Sequence, residues 1–338
     1  MATSVHHRTT LAAASAAALL LAGCGDDGRA QSGSDGGLDV VAGFYPLQWA
    51  TERIGGDRVS VSSATPPGGE PHDLELTPRD VAVVSEADLV VYLAGFQPAL
   101  DEAVQSEAGD RAWDAGQAAD LSLTSEGEGH TDDEGHTDDE GHTDDEGHTD
   151  DEGHTDDEGH AHEEGAADPH FWLDPTRLAA VGDALAERLT ELDPEGESTY
   201  EENAAALRAE LEALDQEMQA GLADCAVTTL VTSHDAFGYL ADRYGLEVVG
   251  ISGLSPSQEP RPSQLAEIAT LVGDRGVTTV YTETLVDPAV AETVAQEAGV
   301  QTAVLDPLEG LTDESAGDDY VQVMRANLAT LQEGQSCS

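Results

Sequence analysis

The chain has 338 residues, enough for two medium domains, and 69 acidic groups against 13 basic ones give it a formal net charge of −56. Every basic residue is Arg, and Lys is absent. Such a field repels nucleic acid and anionic membrane surfaces and concentrates cations near the protein, which argues against a nucleic-acid binder.

The N-terminus reads as a targeting segment. A short polar region with His6, His7 and Arg8 precedes an apolar run from Leu11 to Ala22, too short to span a bilayer. It ends in Leu21-Ala22-Gly23-Cys24, similar to a bacterial lipobox in which the cysteine is lipidated after cleavage. The expectation is a lipoprotein signal over 1–23, with Cys24 anchoring the protein to the outer face of the cell membrane. A Gly/Ser/Asp tether over 24–37 would follow.

From Leu38 onward, short β-like runs alternate with helical ones, the pattern of α/β architecture. Strands are expected at 38–44, 58–64 and 88–94, the last a continuous apolar run of the buried parallel kind. Pro46 opens a helix to about Ile54, and Thr77-Pro78 starts another to Ala87. The turn-rich TPPGGEPHD lies between the second strand and the second helix.

A low-complexity tract then interrupts the domain over 124–167. The hexapeptide His-Thr-Asp-Asp-Glu-Gly repeats five times from His130 to Gly159. His130, His136, His142, His148, His154, His160 and His162 thus place seven of the twelve histidines among carboxylates with no cation between them. Burial cannot offset the ordering entropy of such a stretch, so it is expected to be disordered. Asp and Glu alone would serve a solvated spacer; a histidine at every sixth position adds imidazole ligands for a transition metal.

Past the tract, Asp174-Pro175 starts an amphipathic helix to Leu192. A longer helix follows from about Glu195 to Leu222, with Leu207, Leu211, Leu214, Met218 and Leu222 on one apolar stripe. A second βα series has strands near 227–233, 246–251, 277–282 and 301–305. Its helices fall near 235–244, 262–275 and 288–298, with a final one from about Asp318 to Leu331. The expected organisation is an N-terminal lobe at 38–193, a linking helix at 194–223 and a C-terminal lobe at 224–338. A cleft between two such lobes is a favoured ligand site. Apart from Cys24, the cysteines are Cys225 and Cys337, and an exported chain with an even remainder is expected to pair them in a disulfide.

Outside the signal segment and the tract only His72, His170 and His234 remain, each in a loop at a strand end or helix start. The segments that hold them, GGEPHDLELTP (68–78), DPHFWLDP (168–175) and SHDAFGYLADRYGL (233–246), together with LDPLEGLT (305–312), resemble the signature segments of the ZnuA/TroA family. These are the cluster A-I (cluster 9) solute-binding proteins of zinc and manganese ABC importers. The resemblance covers essentially the whole mature chain. It implies two parallel-sheet βα lobes joined by a long rigid helix, with metal held in the inter-lobe cleft and handed to a permease and its ATPase. Carried over by position, His72, His170 and His234 match the family's imidazole ligands and Asp306 its carboxylate. Glu70, Glu283 or water stay open for the fourth place.

Three imidazoles and a carboxylate suit Zn²⁺. The family's manganese members place a carboxylate at the position of His234, so manganese is the second choice. Asp168, Asp235 and Glu283 are candidates for accepting hydrogen bonds from the ligand imidazoles. Trp172 and Phe237 read as core. The resemblance also accounts for the histidine-rich insertion, since the family's zinc-type members often carry one just before the second ligand, where this one ends shortly before His170. As a coil of about 45 residues it has an end-to-end distance of roughly 35–40 Å, enough to reach over the cleft mouth.

Two readings compete with a monomeric, non-enzymatic importer component. Three His ligands with an open fourth position would suit a zinc hydrolase, although HExxH is absent. A passive extracytoplasmic zinc buffer or adhesin would rest on the tract alone.

Overall fold

The computed structural model describes residues 37–124 and 166–338. The signal segment, Cys24, and the low-complexity tract's seven histidines lie outside the described residues. Two four-stranded, wholly parallel sheets organise the rest. In the first, β1 (Leu38–Ala42), β2 (Val59–Ser63), β3 (Leu89–Tyr92) and β4 (Ala112–Asp114) lie in the order β2-β1-β3-β4. In the second, β5 (Thr229–Thr232), β6 (Glu247–Gly250), β7 (Thr279–Thr282) and β8 (Gln301–Val304) repeat that order as β6-β5-β7-β8. In each sheet the strand order reverses beside the first strand. Chain segments leaving the carboxyl ends of neighbouring strands diverge there and leave a crevice.

The central strands show why the sheets are parallel and buried. Val90 and Val91 of β3, and Leu230 and Val231 of β5, are fully buried, because helices cover both faces. Around the first sheet run α1 (Tyr45–Gly55), α2 (Pro78–Glu86), α3 (Pro98–Ala103), α4 (Gly116–Ala119) and α5 (Pro175–Leu192). Around the second run α7 (Gly238–Tyr244), α8 (Pro262–Arg275), α9 (Ala289–Ala298) and α10 (Tyr320–Gly334). Thr77 and Asp80 form a reciprocal capping box at the start of α2, and Asp174 accepts from Thr176 N–H at the start of α5. The structure adds β4, α3 and α4 to the expected elements. A half-buried strand of three residues carries too little periodicity to be read from sequence.

Between the sheets runs α6 (Glu197–Leu222), 26 residues long. Its expected stripe, Leu207, Leu211, Leu214, Met218 and Leu222, is buried, and Tyr200 and Ala204 extend it. This face packs on α1 and α5 of the first lobe and on α10 of the second. Gly182 of α5 permits that approach, since a Cβ there would sit 3.0 Å from Leu207 Cδ2. On its flank, Asp215 takes a bidentate pair from Arg243 at 2.8 and 2.9 Å, tying α7 to α6. One hydrophobic cluster runs from Val40 in β1 through α6 to Leu331 in α10, so the lobes share a core. A shared core resists the hinge motion expected of lobes with separate ones.

Cys225 and Cys337 form a disulfide across a separation of 112 residues. It closes an isolated antiparallel bridge that brings the segment after α10 beside the approach to β5. Buried Gln335 reinforces it, donating to the Val227 and Thr229 carbonyls at 3.0 Å each.

Candidate metal centre

Four side chains meet where the carboxyl ends of the two sheets face each other. His72 lies in the loop after β2, and His170 opens the short turn that leads into α5. His234 leaves the end of β5, and Glu309 lies in the loop after β8. One ligand atom from each falls within 4.8 Å of the others. His170 and His234 are fully buried, Glu309 is 1% exposed, and the His72 side chain is 8% exposed. Glu309 Oε1 lies 3.0 Å from His72 Nε2, 3.2 Å from His170 Nε2 and 3.3 Å from His234 Nε2. The Nε2 of His170 lies 3.3 Å from that of His72 and 3.4 Å from that of His234.

Two of the outer nitrogens are occupied. His170 Nδ1 is 2.7 Å from Asp168 Oδ1, and His234 Nδ1 is 2.6 Å from Glu283 Oε2. The same carboxylates accept the backbone N–H groups of His170 and His234, fixing both rings from two directions. A carboxylate on Nδ1 selects the tautomer whose proton is on Nδ1 and whose Nε2 lone pair faces inward. Inward-facing lone pairs at such spacing are a ligand set for a cation. Glu309 Oε2, buried with no hydrogen-bond partner, is a further acceptor in the same place.

Electrostatics lead to the same conclusion. Burial disfavours charge on both His170 and His234. Hydrogen bonds to Asp168 and Glu309 outweigh it for His170, and the charges of Glu283 and Glu309 outweigh it for His234, so both hold protons above the ordinary histidine range. Burial likewise opposes ionisation of Glu309, but His234 and the three imidazole hydrogen bonds keep it well below the usual carboxylate value. His72 is shifted down by burial. The cluster thus holds Glu309 ionised with protons on the imidazoles beside it, and a divalent cation can take the protons' place.

The carboxylate that joins the three imidazoles in the structure is Glu309, and the expected Asp306 stands apart from the cluster. Asp306 is buried, but its Oδ1 accepts from Leu308 N–H at 2.8 Å and its Oδ2 from the Ser315 hydroxyl at 3.2 Å. Its backbone is pinned to Asn327 of α10 through both N–H and carbonyl. Asp306 shapes the loop, and Glu309 of the same LDPLEGLT segment reaches the histidines. A second carboxylate three residues on was the available signal. Leu308, between them, has φ +59°, a left-handed conformation rare for a branched side chain. That turn carries Glu309 into the cleft, and periodicity does not foretell it.

Of the alternatives, Glu283 supports His234 from its outer nitrogen. Glu70 accepts from His72 N–H at 2.9 Å, and burial and Glu309 push it up to about 8. Asp168 and Glu283 hold ring nitrogens as expected. Asp235 instead donates its backbone N–H to Gly253, and burial and Asp168 raise its carboxyl. A cavity of about 320 Å³ leads from the solvent side to His72, bordered by Phe96, Pro169, Leu254 and Gln258. Ala166 and Ala167 also line it, and Ala167 pairs with Thr124 in an antiparallel bridge. The two roots of the histidine-rich tract therefore stand together at the cavity.

Comparison with known families decides the lineage. Residues 40–334 match the family described as ZnuA, zinc-uptake complex component A periplasmic. The chain belongs to the ZnuA family. It is 34% identical over 322 residues to the high-affinity zinc uptake system protein ZnuA of Bacillus subtilis, covering 93% of both chains. It is 35% identical over 321 residues to the zinc-binding lipoprotein AdcA of Streptococcus pneumoniae, but spans only 58% of that protein's length. Among solved structures, the Zn(II)-bound ZnuA-like domain of pneumococcal AdcA superposes with a TM-score of 0.67 at 31% identity, covering 89% of this chain and 99% of that one. The laminin-binding protein of Streptococcus agalactiae, described as an adhesin with metal-transporting activity, gives 0.71 at 29% identity, covering 88% and 100%. The repeated βα lobes and long helix are this ZnuA-family fold.

Proposed function

We propose that this protein is the extracytoplasmic zinc-binding component of an ABC importer, capturing Zn²⁺ and delivering it to a membrane permease driven by an ATPase. The observation that carries the reading is the convergence of three inward-facing imidazoles and Glu309 in a buried inter-lobe site. Three nitrogens and one oxygen, with carboxylates holding two of the rings, suit four-coordinate Zn²⁺ better than the oxygen-rich shells of Mn²⁺. In this reading His72, His170, His234 and Glu309 are the ligands and zinc is cargo. The fourth protein ligand also weighs against hydrolysis, since it takes the position an activated water would need. Among the described residues no helix is long and apolar enough to cross a membrane, and attachment would come from lipidated Cys24.

The tract with His130, His136, His142, His148, His154, His160 and His162 would serve as a low-affinity collector. Its roots at the cavity beside His72 support that reading. Metal analysis of purified protein, with a competitive Zn/Mn titration, tests the cargo. One tight equivalent of zinc is expected, and preference for manganese would refute it. A strain lacking the gene should grow poorly under chelation and recover on added zinc; unchanged growth would favour the passive buffer or adhesin.

A further inference from the structure

The site is divided between the lobes: His72 and His170 come from the first, His234 and Glu309 from the second. Its dimensions depend on what fixes one lobe against the other beside it. Trp172, two residues after His170 and fully buried, sits at that junction. Its indole N–H donates to the Pro307 carbonyl at 2.8 Å, two residues before Glu309. In the opposite sense, the Tyr320 hydroxyl at the start of α10 donates to the Trp172 carbonyl at 2.5 Å. Tyr320 also stacks on Trp49 of α1 with ring centroids 4.9 Å apart. The indole packs on Phe44 at 4.9 Å, Phe96 at 5.8 Å and the His170 ring at 5.3 Å.

The bond to Pro307 has a specific task. Leu308 is held at φ +59°, a conformation that persists only when its surroundings enforce it. Asp306 Oδ1 restrains the Leu308 N–H from one side, and the Trp172 N–H restrains the Pro307 carbonyl from the other. Relaxation of Leu308 to negative φ would redirect Glu309 away from the imidazoles.

We propose that Trp172 is a positioning residue for metal selectivity, with Tyr320 as its partner: together they clamp the lobes and hold Glu309 at the fourth vertex of a small, four-ligand site. This rests on the zinc-binding reading above. A site loosened at Glu309 would admit water and larger coordination numbers, losing preference for Zn²⁺ over Mn²⁺ and releasing zinc faster.

The test uses the full chain and its W172F and Y320F variants, with Y200F as a control. Tyr200 is a buried aromatic whose hydroxyl bonds to Asp193 at 2.7 Å, on α6. Zinc affinity is read by chelator competition, release by mixing with excess chelator, and geometry from the visible absorption of the Co²⁺ form. W172F should raise the zinc Kd roughly tenfold or more, speed release in proportion and weaken the tetrahedral Co²⁺ bands. Y320F should shift all three the same way by less, and Y200F should leave them at wild-type values. W172F with lowered thermal stability but unchanged affinity, release and Co²⁺ spectrum would make Trp172 merely structural and overturn the proposal. If W172F does not fold, Y320F decides: altered release supports the clamp and unchanged release overturns it. Failure of the zinc reading would show separately, as wild-type protein without tight zinc.

Discussion

His234 Nδ1 lies 2.6 Å from Glu283 Oε2, and the other oxygen of the same carboxylate accepts the His234 backbone N–H at 3.0 Å. His234 leaves β5 and Glu283 leaves β7, adjacent parallel strands. The strand order thus places an imidazole and its orienting carboxylate side by side at the crevice. Glu283→Gln retains the shape but loses the charge that keeps the proton on Nδ1. Zinc affinity should fall roughly 10- to 100-fold, as for other partners of metal-bound histidines. Competition against a chelator of known affinity measures this. A change below twofold would show that Glu283 only fills space. Asp168→Asn should behave alike through His170.

The two carboxylates of the LDPLEGLT loop should separate cleanly. Glu309→Ala removes the carboxylate that meets the three imidazoles and should weaken zinc binding by orders of magnitude with little loss of fold. Asp306→Ala breaks the bonds that pin the loop, so it should cost stability first and affinity second. Thermal unfolding of the zinc-free proteins beside zinc titrations distinguishes them. The reverse ranking of affinities would restore Asp306 as the ligand.

Zinc uptake should release protons. His170 and His234 hold protons above the ordinary histidine range, so near neutrality the metal-free site is still partly protonated there. The metal needs those nitrogens bare, so affinity should rise with pH up to the raised histidine values and level off beyond them. At low pH it should fall steeply, and more so once Glu309, held ionised below the usual range, takes up its proton. Calorimetry in buffers of different ionisation enthalpy counts the protons released. A release near zero at neutral pH would contradict the raised values.

The Cys225–Cys337 disulfide should matter for stability and little for metal. The chain-entropy account assigns roughly 4–5 kcal/mol to closing so long a loop, an upper figure if the reduced unfolded chain keeps structure. The double Cys→Ser variant should unfold at lower denaturant and bind zinc normally at 25 °C. Lost affinity in folded variant protein would tie the bridge to the site.

Deleting 128–163 should leave one tight zinc equivalent and remove weak additional binding in a titration. Its expected role lies in supply, so growth at limiting zinc is the sensitive readout. Disappearance of the tight site would end the collector reading.

Much of this protein was legible in its residues. The alternation of apolar runs announced the α/β class and the two lobes. The stripe from Leu207 to Leu222 announced the long helix, because a period of 3.6 and a period of 2 cannot be confused over such a length. His72, His170 and His234 were identifiable because each stood in a loop at an element's end, and the motifs around them carried the family. What the sequence could not decide was the fourth side chain. Asp306 and Glu309 are three residues apart in one loop, and both are buried acids. Their roles are set by a left-handed turn at Leu308 and by partners 21 and 135 residues away, Asn327 for Asp306 and Trp172 for Pro307. Periodicity records which residues face a core. It does not record where a loop's backbone turns, because that depends on hydrogen bonds from parts of the chain that only folding brings near.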